Sequence, residues 1–244
     1  MDVLAQPDQA ARTQAWGTVL AAEDFVVVPG SELATVAPAS EVDRLAAQWE
    51  TLELDGALFD GGTYRYRRYG RLLADVNPAG NRRFAPLPHQ AFRQAAEHIP
   101  NYGGRERLFS PISPEALLSP ALIAILAADL AVVEAATGAA PRWEVGLHMI
   151  RVVALPGVPG NPTPEGRHRD GHDFVGMHLI QRTCCTGGES TVYRTDRPPV
   201  RMMLLDRLDS LILADARLTH EVTPLVSDGG TGVRDMLLVD VNAR

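Results

Sequence analysis

The sequence predicts an α+β fold in which N-terminal helices pack on one face of a C-terminal jelly-roll core. Ser-Pro helix starts and helical spacing of apolar residues occur before residue 143. From Trp143 onward, short β-branched segments are divided by Gly, Pro and Asp. Many short strands without helices between them favour an antiparallel sandwich or barrel over a parallel sheet. We expect one domain over residues 1–244, with 1–142 as a support layer and 143–242 as the core.

The composition indicates a globular protein whose partner is a small molecule. Hydrophobic residues make up 45% of the 244 residues, yet no apolar run approaches the ~20 residues that span a bilayer. The formal net charge of -7 argues against nucleic acid as a partner. The N-terminal stretch lacks the features of a secretory signal, and the adjacent Cys184 and Cys185 suit a reducing compartment. We therefore expect a cytoplasmic protein without a membrane segment, and a homo-oligomer is compatible with the sequence.

Five segments of the N-terminal half carry local structural signals. DFVVVPG at 24–30 predicts a strand, and a helix of about three turns is expected behind a cap at Ser40. TYRYRRYGRLLADV at 63–76 predicts a hairpin of two strands, and residues 86–99 predict a second helix. A long apolar helical region over residues 113–138 has two Ser-Pro starts and a closing glycine.

The C-terminal half contains five clear strand signals. They are the segments WEVGLHMIRVV, HDFVGMHLIQR, STVYR, DSLILAD and VRDMLLVDV. A Pro- and Gly-rich loop, PGVPGNPTPEG at 156–166, lies directly before a cluster of histidines. We expect this loop to form the rim of an active site.

The histidine cluster EGRHRDGHDFVGMHL, residues 165–179, raises the question of a metal site. Residues two apart on a strand point to the same side, so His168 and Asp170 can present an imidazole and a carboxylate to one divalent ion. A histidine from a distant segment would complete a facial triad. His220, which follows the strand segment SLILAD, is the natural third ligand.

Other polar residues of the cluster compete with these ligands. His172 shares the parity of His168 and Asp170, although Gly171 can interrupt the alternation between them. His178 lies in an apolar strand, where a satisfied core histidine is the more common case. Asp173 would face away from His172, so we interpret it as structural.

Arg234 adds a second kind of signal at the start of the last predicted strand. A guanidinium that points into an apolar barrel is costly unless an anion meets it, and its planar fork suits a carboxylate. The alternative is an ordinary rim arginine paired with Asp235 or Asp240.

The order H-x-D, distal His and downstream Arg resembles the Fe(II)/2-oxoglutarate-dependent dioxygenases. PTPEGRHRDGHDF, CTGGESTVY and THEVTPL...GVRDMLLVDV look like the bacterial subgroup that includes isoleucine hydroxylases acting on free amino acids. The resemblance covers roughly residues 143–242, with a weaker echo in TYRYRRYG. It implies a double-stranded β-helix core of the jelly-roll, cupin-like type.

The resemblance also implies cofactors, roles and a reaction. His168, Asp170 and His220 would bind Fe(II), and 2-oxoglutarate would bind the iron while Arg234 holds its far carboxylate. O2 would take the last site, and the product would be a hydroxylated C–H position on a free L-amino acid or a close derivative. Related halogenases have a small residue in place of Asp170, so the carboxylate favours hydroxylation.

An amino-acid substrate would require an anion partner and an ammonium partner near the iron. The first choices are Arg151, on the strand segment HMIRVV, and Glu165, three residues before His168. The alternatives are Arg65 and Arg67, with three tyrosines as pocket walls: Tyr64, Tyr66 and Tyr69. Glu189 and the two cysteines are expected to be structural.

Two other function classes fit parts of the pattern. In a zinc-dependent, cupin-like hydrolase the same ligands would activate water, but such an enzyme does not need Arg234 as a carboxylate clamp. A non-catalytic small-molecule-binding cupin would bind ligand without consuming 2-oxoglutarate.

Overall fold

A computed structural model describes residues 7–77, 81–99, 101–138, 140 and 142–244. The α-helices in these residues are α1 Pro7–Glu23, α2 Gly30–Leu33, α3 Ala39–Ala46, α4 Pro114–Leu117 and α5 Pro120–Thr137. Short 3-10 helices cover Ala34–Val36, Ala47–Thr51 and Asp215–Arg217.

The strands are given in two groups, one before residue 142 and one from residue 142 onward. The first group is β1 Phe25–Val28, β2 Glu53–Leu54, β3 Arg65–Val76, β4 Arg82–Pro86, β5 Phe92–Arg93, β6 Glu106–Arg107 and β7 Ser110–Pro111. The second is β8 Arg142–Ala154, β9 Phe174–Thr183, β10 Cys185–Gly187, β11 Ser190–Tyr193, β12 Val200–Met202, β13 Ser210–Leu213, β14 Thr219–Val222, β15 Leu225–Ser227 and β16 Gly232–Ala243.

The strands form a jelly roll with one large sheet and a smaller opposing layer. The large sheet has the order β1-β13-β9-β16-β8-β3-β2, with β4 and β7 also paired to β3. The opposing layer contains β12-β11-β14 and the pair β10-β15. A buried apolar cluster that includes Val175 and Met177 of β9 and Val192 of β11 fills the space between the layers. The predicted double-stranded β-helix core is confirmed.

The helices cover the other face of the large sheet, as predicted. α5 begins at Ser119, whose side chain accepts a hydrogen bond from the N–H of Leu122, and it ends at Gly138, where φ is +89°. By length and composition alone α5 could cross a membrane. Its apolar residues, however, join those of β8 and β16 in one buried cluster, so α5 is a core helix.

Most predicted strands of the C-terminal half are confirmed, as are β1 and the helix starts at Ser113 and Ser119. The helix predicted behind Ser40 exists, but it begins at Ala39, two residues earlier than a cap at Ser40 would give, and it changes to 3-10 geometry at Ala47. Its cap position is Pro38, and no side chain caps it. The long helix α1 carried no sustained apolar periodicity and was not predicted.

The predicted hairpin over 63–76 is wrong, because this segment forms the single strand β3. Its pairing with β8 runs unbroken through Gly70, which lies opposite Leu147. A Cβ at Gly70 would lie 2.7 Å from Cδ2 of Leu117, so this glycine makes room for α4 and does not form a turn.

The helix predicted over residues 86–99 is also wrong within the part of that range that the structure describes. β4 ends at Pro86, irregular residues 87–91 precede the short strand β5, and a turn at 96–98 follows it. Phe92 packs against Tyr69, with ring centroids 5.2 Å apart, and Gln94 donates hydrogen bonds to Asp170. These tertiary contacts override a weak helical propensity.

The N-terminal half contributes more than a support layer. β3 lies beside β8 in the large sheet, and β1 pairs with β13 near its other edge. Because side chains alternate on β3, Arg65 and Arg67 turn to the buried side and Arg68 to the other. The early strands thereby supply part of the site described next.

Candidate active site

His168 and His220 are brought together by backbone pairing. His168 lies in the loop between β8 and β9, and His220 lies in β14. The N–H of each donates to the carbonyl of the other, at 3.0 and 2.9 Å, and the imidazole centroids are 4.5 Å apart. Both side chains are buried.

Asp170 completes a compact triad with these histidines. Its Oδ1 lies 3.6 Å from Nε2 of His168, and its Oδ2 lies 3.5 Å from Nε2 of His220. One ligand atom from each of the three side chains can be chosen so that all lie within 4.8 Å of one another. Nδ1 of His168 donates to the carbonyl of Gly166 at 2.9 Å, so Nε2, which faces Asp170, is the nitrogen that would lose its proton and bind a metal.

The loop that carries Asp170 is held by a second carboxylate. Asp215 accepts hydrogen bonds from the backbone N–H groups of Asp170, Gly171 and His172, at 3.1, 2.7 and 3.0 Å. Gln94 donates to the carbonyl oxygen and to Oδ1 of Asp170, at 2.8 and 3.2 Å. These contacts fix the carboxylate before any ion arrives.

The electrostatics of the triad favour a cation at its centre. Burial and the charge of His168 lower the pKa of His220 to about 4. Burial opposes charge on His168 as well, but the hydrogen bond and charge of Asp170 raise its pKa to about 9. Burial acts against ionisation of Asp170, yet the histidines hold its pKa well below the usual range. The carboxylate therefore attracts positive charge, and one imidazole stays neutral.

The donor set fits a non-haem Fe(II) site. Two imidazoles and one carboxylate on one side of an ion form the 2-His-1-carboxylate facial triad. Oδ2 of Asp170 is buried without a hydrogen-bond partner in the described residues, as expected for an atom that binds a metal.

Arg234 lies on β16 and faces the same cavity as the triad. It is buried, and within the described part of the chain it has no carboxylate partner; its Nε has no hydrogen bond at all. Burial and the nearby Arg182 lower its pKa to about 10. Asp235 and Asp240, its alternative partners, are engaged elsewhere, so Arg234 is available to an anionic ligand.

The cavity also contains arginines from the N-terminal strands. Arg65, Arg67 and Arg107 are buried and line it together with Phe92. Among these three, only Arg65 makes an ion pair with a described residue, Asp55 at 2.7 Å. Nη2 of Arg65 and Nε of Arg107 are buried without a partner in the described residues.

Glu165 lines the cavity as predicted, on the rim loop that the sequence indicated. Its Oε1 lies 3.5 Å from Nε2 of His168, and its Oε2 is buried with no hydrogen-bond partner among the described residues. Pro162 and Thr163 of the same loop also line the cavity. A carboxylate in this position can receive a cationic group of a bound molecule.

The structure does not bring Arg151 to the cavity. Its guanidinium donates to both carboxylate oxygens of Asp235 at 2.8 Å and to Glu50 at 2.6 Å, outside the cavity lining. The hydrogen bonds that Arg151 donates to Asp235 raise the pKa of Arg151, although burial acts in the opposite direction. The geometry is that of a structural ion pair on the outer face of the sheet.

The tyrosines proposed as pocket walls also lie outside the cavity lining. Tyr64 donates to Asp60, and Tyr66 is on the half-buried side of β3. Tyr69 faces inward and stacks on His148 at 4.6 Å, so it supports a lining residue from behind.

His178 and Asp173 make structural contacts, whereas His172 lies beside Asp240, a residue of the cavity lining. His178 joins α5 to the large sheet through Asp129 at 2.8 Å and Ser210 at 2.7 Å, as expected for a core histidine. Asp173 accepts a hydrogen bond from the N–H of Ala243. His172 is not in the triad, and its Nε2 lies 3.2 Å from Asp240.

Four site residues were missed: Arg107, Gln94, His148 and Asp240. Arg107 and Gln94 lie in segments whose strands are only two residues long or in turns, where periodicity gives no signal. His148 and Asp240 could have been found, since each is a polar residue between two apolar neighbours on a predicted strand. In the structure they pair at 2.9 Å.

Known proteins match the chain over most of its length. The sequence model of the 2OG-Fe dioxygenase family matches residues 46–240. The chain is 27% identical over 205 residues to the 3(1)-hydroxy-L-isoleucine 4-dioxygenase of Pantoea ananatis. The aligned region covers 82% of this chain and 80% of that protein.

Solved structures share the fold. A BsmA homologue from Methylobium petroleophilum superposes with a TM-score of 0.85 and 32% identity, covering 95% of this chain and 93% of the other. IDO from Bacillus thuringiensis gives a TM-score of 0.77 at 19% identity, with coverage of 100% and 99%.

Proposed function

This chain belongs to the 2OG-Fe dioxygenase family, and we propose that it hydroxylates an unactivated C–H bond of a free L-amino acid or a close derivative. The family uses Fe(II), 2-oxoglutarate and O2, so the chain is a 2-oxoglutarate-dependent dioxygenase. One observation carries the proposal: a His-Asp-His triad with both histidines buried lines the same cavity as a buried arginine that has no acid partner among the described residues.

His168, Asp170 and His220 would hold Fe(II), and Arg234 would receive the far carboxylate of 2-oxoglutarate. When bound, iron and cosubstrate activate O2 for removal of a hydrogen atom and return of a hydroxyl group. The apolar lining, which includes Ile150, Met177 and Leu238, would keep water away from the reacting position. The carboxylate of Asp170 supports hydroxylation as the outcome.

Glu165 and two arginines would bind the amino-acid backbone of the substrate. Oε2 of Glu165 would accept from the ammonium group. Nη2 of Arg65 and Nε of Arg107 would donate to the α-carboxylate, since these buried atoms lack acceptors in the described residues. The arginines take the role first assigned to Arg151. The amino-acid dioxygenase among the relatives supports this choice of substrate class.

The two alternatives, a zinc-dependent hydrolase and a non-catalytic small-molecule-binding cupin, are not favoured. Both would keep a metal or ligand in a cupin-like core, but neither accounts for a buried arginine that faces the metal site without an acid partner among the described residues. A carboxylate-bearing cosubstrate does account for it.

The test is a panel of free amino acids and small derivatives, incubated with Fe(II), 2-oxoglutarate and O2. We expect at least one to raise succinate formation well above the uncoupled background and to gain the mass of one oxygen atom. If no compound does so, the amino-acid proposal fails, while the iron site can stand.

A matched pair of variants assigns the ammonium contact. Glu165→Gln should raise KM for the amino acid by roughly tenfold or more, because a charge-assisted contact is lost, and should leave KM for 2-oxoglutarate nearly unchanged. Glu189→Gln is the control, since Glu189 lies outside the cavity lining. Equal effects of the two variants would contradict the role of Glu165.

A further inference from the structure

Arg67 is a buried cation that the proposed reaction does not use. It lines the cavity and is 7% exposed. Within the described residues no carboxylate lies within ion-pair distance of it, whereas Arg65, two residues earlier on the same strand, is paired with Asp55. Burial, followed by the charges of Arg65 and Arg107, lowers its pKa to about 9. An anion in the cavity would offset the energetic cost of burying this charge.

The guanidinium is held in place by a chain of two residues. Nε and Nη2 of Arg67 lie 3.2 and 2.8 Å from Nδ1 of His148. Nε2 of His148 lies 2.9 Å from Oδ2 of Asp240. A carboxylate only accepts, so Nε2 of His148 carries the proton and Nδ1 accepts from Arg67. His148 and Asp240 are therefore positioning residues for Arg67.

One end of the Arg67 guanidinium is left for a ligand. Nε and Nη2 are occupied by His148, and Nη1 has no acceptor among the described residues. The guanidinium carbon lies 4.3 Å from the ring centroid of Phe109 and 5.4 Å from that of Phe92. These rings stabilise the cation without neutralising it.

Arg67 is a third guanidinium beside Arg65 and Arg107, and it shares the rings of Phe92 and Phe109 with Arg107. In the proposed binding mode the α-carboxylate accepts from Nη2 of Arg65 and Nε of Arg107, the two donors that are buried without a partner in the described residues. Nη1 of Arg67 is then left for another group of the same substrate.

We propose that Arg67 binds a second acidic group of the substrate, so that the enzyme selects an L-amino acid whose side chain ends in a carboxylate. This inference rests on the proposed function and narrows its substrate class. A hydroxyl or amide oxygen could also accept from Nη1, but only an anion supplies both the acceptor and the missing charge. Charge-assisted hydrogen bonds are also about twice as strong as neutral ones.

The direct test compares isosteric amino acids that differ only in this group. Binding of L-glutamate, L-glutamine, L-aspartate, L-asparagine and L-leucine is measured by calorimetry, anaerobically, with protein loaded with Fe(II) and 2-oxoglutarate. Succinate formation is then measured in air. We expect a carboxylate-bearing member to bind at least about tenfold more tightly than its amide, because the site is built for the charged group.

Variants of Arg67 identify the residue responsible. In Arg67→Gln the preference for carboxylate over amide should fall to about one, and in Arg67→Lys it should be partly kept. Arg68→Met is the matched control, since Arg68 lies on the opposite side of β3 and bonds to Glu53 and Thr51. The absorption band of the anaerobic iron and 2-oxoglutarate complex reports whether each variant keeps an intact metal site.

Three results would overturn the inference. If leucine or an amide binds as tightly as the matching acid and is hydroxylated, the second acidic group is wrong and the proposed function stands. If the acid preference of the wild type persists in Arg67→Gln with the band intact, Arg67 is not its cause. If no amino acid binds or raises succinate, the proposed function fails and takes this inference with it.

Discussion

The backbones of His168 and His220 form an isolated antiparallel bridge of two hydrogen bonds, 3.0 and 2.9 Å long. The bridge holds the two residues close together through backbone hydrogen bonds alone, so it does not depend on contacts made by the imidazoles. It also joins the loop after β8 to β14, which lies some 50 residues later in the sequence. The site is therefore built by the fold before a ligand binds.

Asp215 should matter for metal binding although it does not face the metal. It accepts three N–H groups from residues 170–172, and outer partners of this kind typically affect metal affinity by roughly 10–100-fold. Asp215→Asn should therefore weaken Fe(II) binding within that range, measured by anaerobic titration. Asp173→Asn is the control, because Asp173 accepts only from Ala243. Unchanged affinity in Asp215→Asn would refute the role.

Gly188 should control the position of Arg234. A Cβ at Gly188 would lie 3.2 Å from Cδ of Arg234 and 3.3 Å from Nη1 of Arg182. Gly188→Ala should raise KM for 2-oxoglutarate several-fold, because the arginine must shift. Gly229→Ala is a matched control: φ is +73° at Gly188 and +80° at Gly229, but nothing lies within 4 Å of a Cβ at Gly229. Both variants carry a backbone cost of about 1–2 kcal/mol, so only the KM effect should separate them.

Arg234 should bind 2-oxoglutarate through both its charge and the planar geometry of its guanidinium. Arg234→Met should raise KM for 2-oxoglutarate by at least about tenfold, since a bidentate charged contact is lost, and Arg234→Lys should recover part of it. Arg201→Met is the control, because Arg201 is largely exposed and lies outside the cavity. Steady-state kinetics with 2-oxoglutarate as the varied substrate would give the answer, and a matching increase in the control would contradict the assignment.

Asp129 and His178 should contribute to stability and not to catalysis. With Ser210 they have the residue types of a hydrolytic triad, but all three are buried in the core between α5 and the sheet. Asp129→Ala leaves Nε2 of His178 without its partner, at an expected cost of about 1–3 kcal/mol in the free energy of unfolding. Denaturant unfolding measures this cost. A large loss of activity per folded molecule would show a role that the geometry does not predict.

The candidate metal ligands could be proposed in part because His168 and Asp170 are only two residues apart. His220 follows one predicted strand and Arg234 begins the last one, so the strand pattern placed both residues in the predicted core. Periodicity and spacing predicted an antiparallel sandwich or barrel, and the resemblance to the dioxygenases implied the double-stranded β-helix and the iron-binding roles. The burial of Arg65 and Arg67 was not predictable in the same way. Alternating aromatic and basic residues usually mark a half-exposed strand, and only the pairing of β3 with β8 turns the arginines inward.

Substrate contacts were harder to predict because they depend on tertiary neighbours. Arg151 and Arg67 lie on adjacent strands of one sheet, but Asp235 lies opposite Arg151 and forms an ion pair with it. Glu53 of β2 lies opposite Arg67 but bonds to Arg68 and Ser110 instead. Residue type alone cannot distinguish an arginine that is paired across the sheet from one that awaits a ligand. Gln94 and Arg107 reach the site from short irregular segments and carry no pattern at all.

The central claim is that His168, Asp170 and His220 hold Fe(II) with 2-oxoglutarate bound beside it. The most direct measurement is the metal-to-ligand charge-transfer absorption band on anaerobic addition of Fe(II) and 2-oxoglutarate. We predict that the wild type gives the band, that His168→Ala, Asp170→Ala and His220→Ala abolish it, and that His172→Ala keeps it. Absence of the band in the wild type, or its persistence in Asp170→Ala and His168→Ala, would contradict the account.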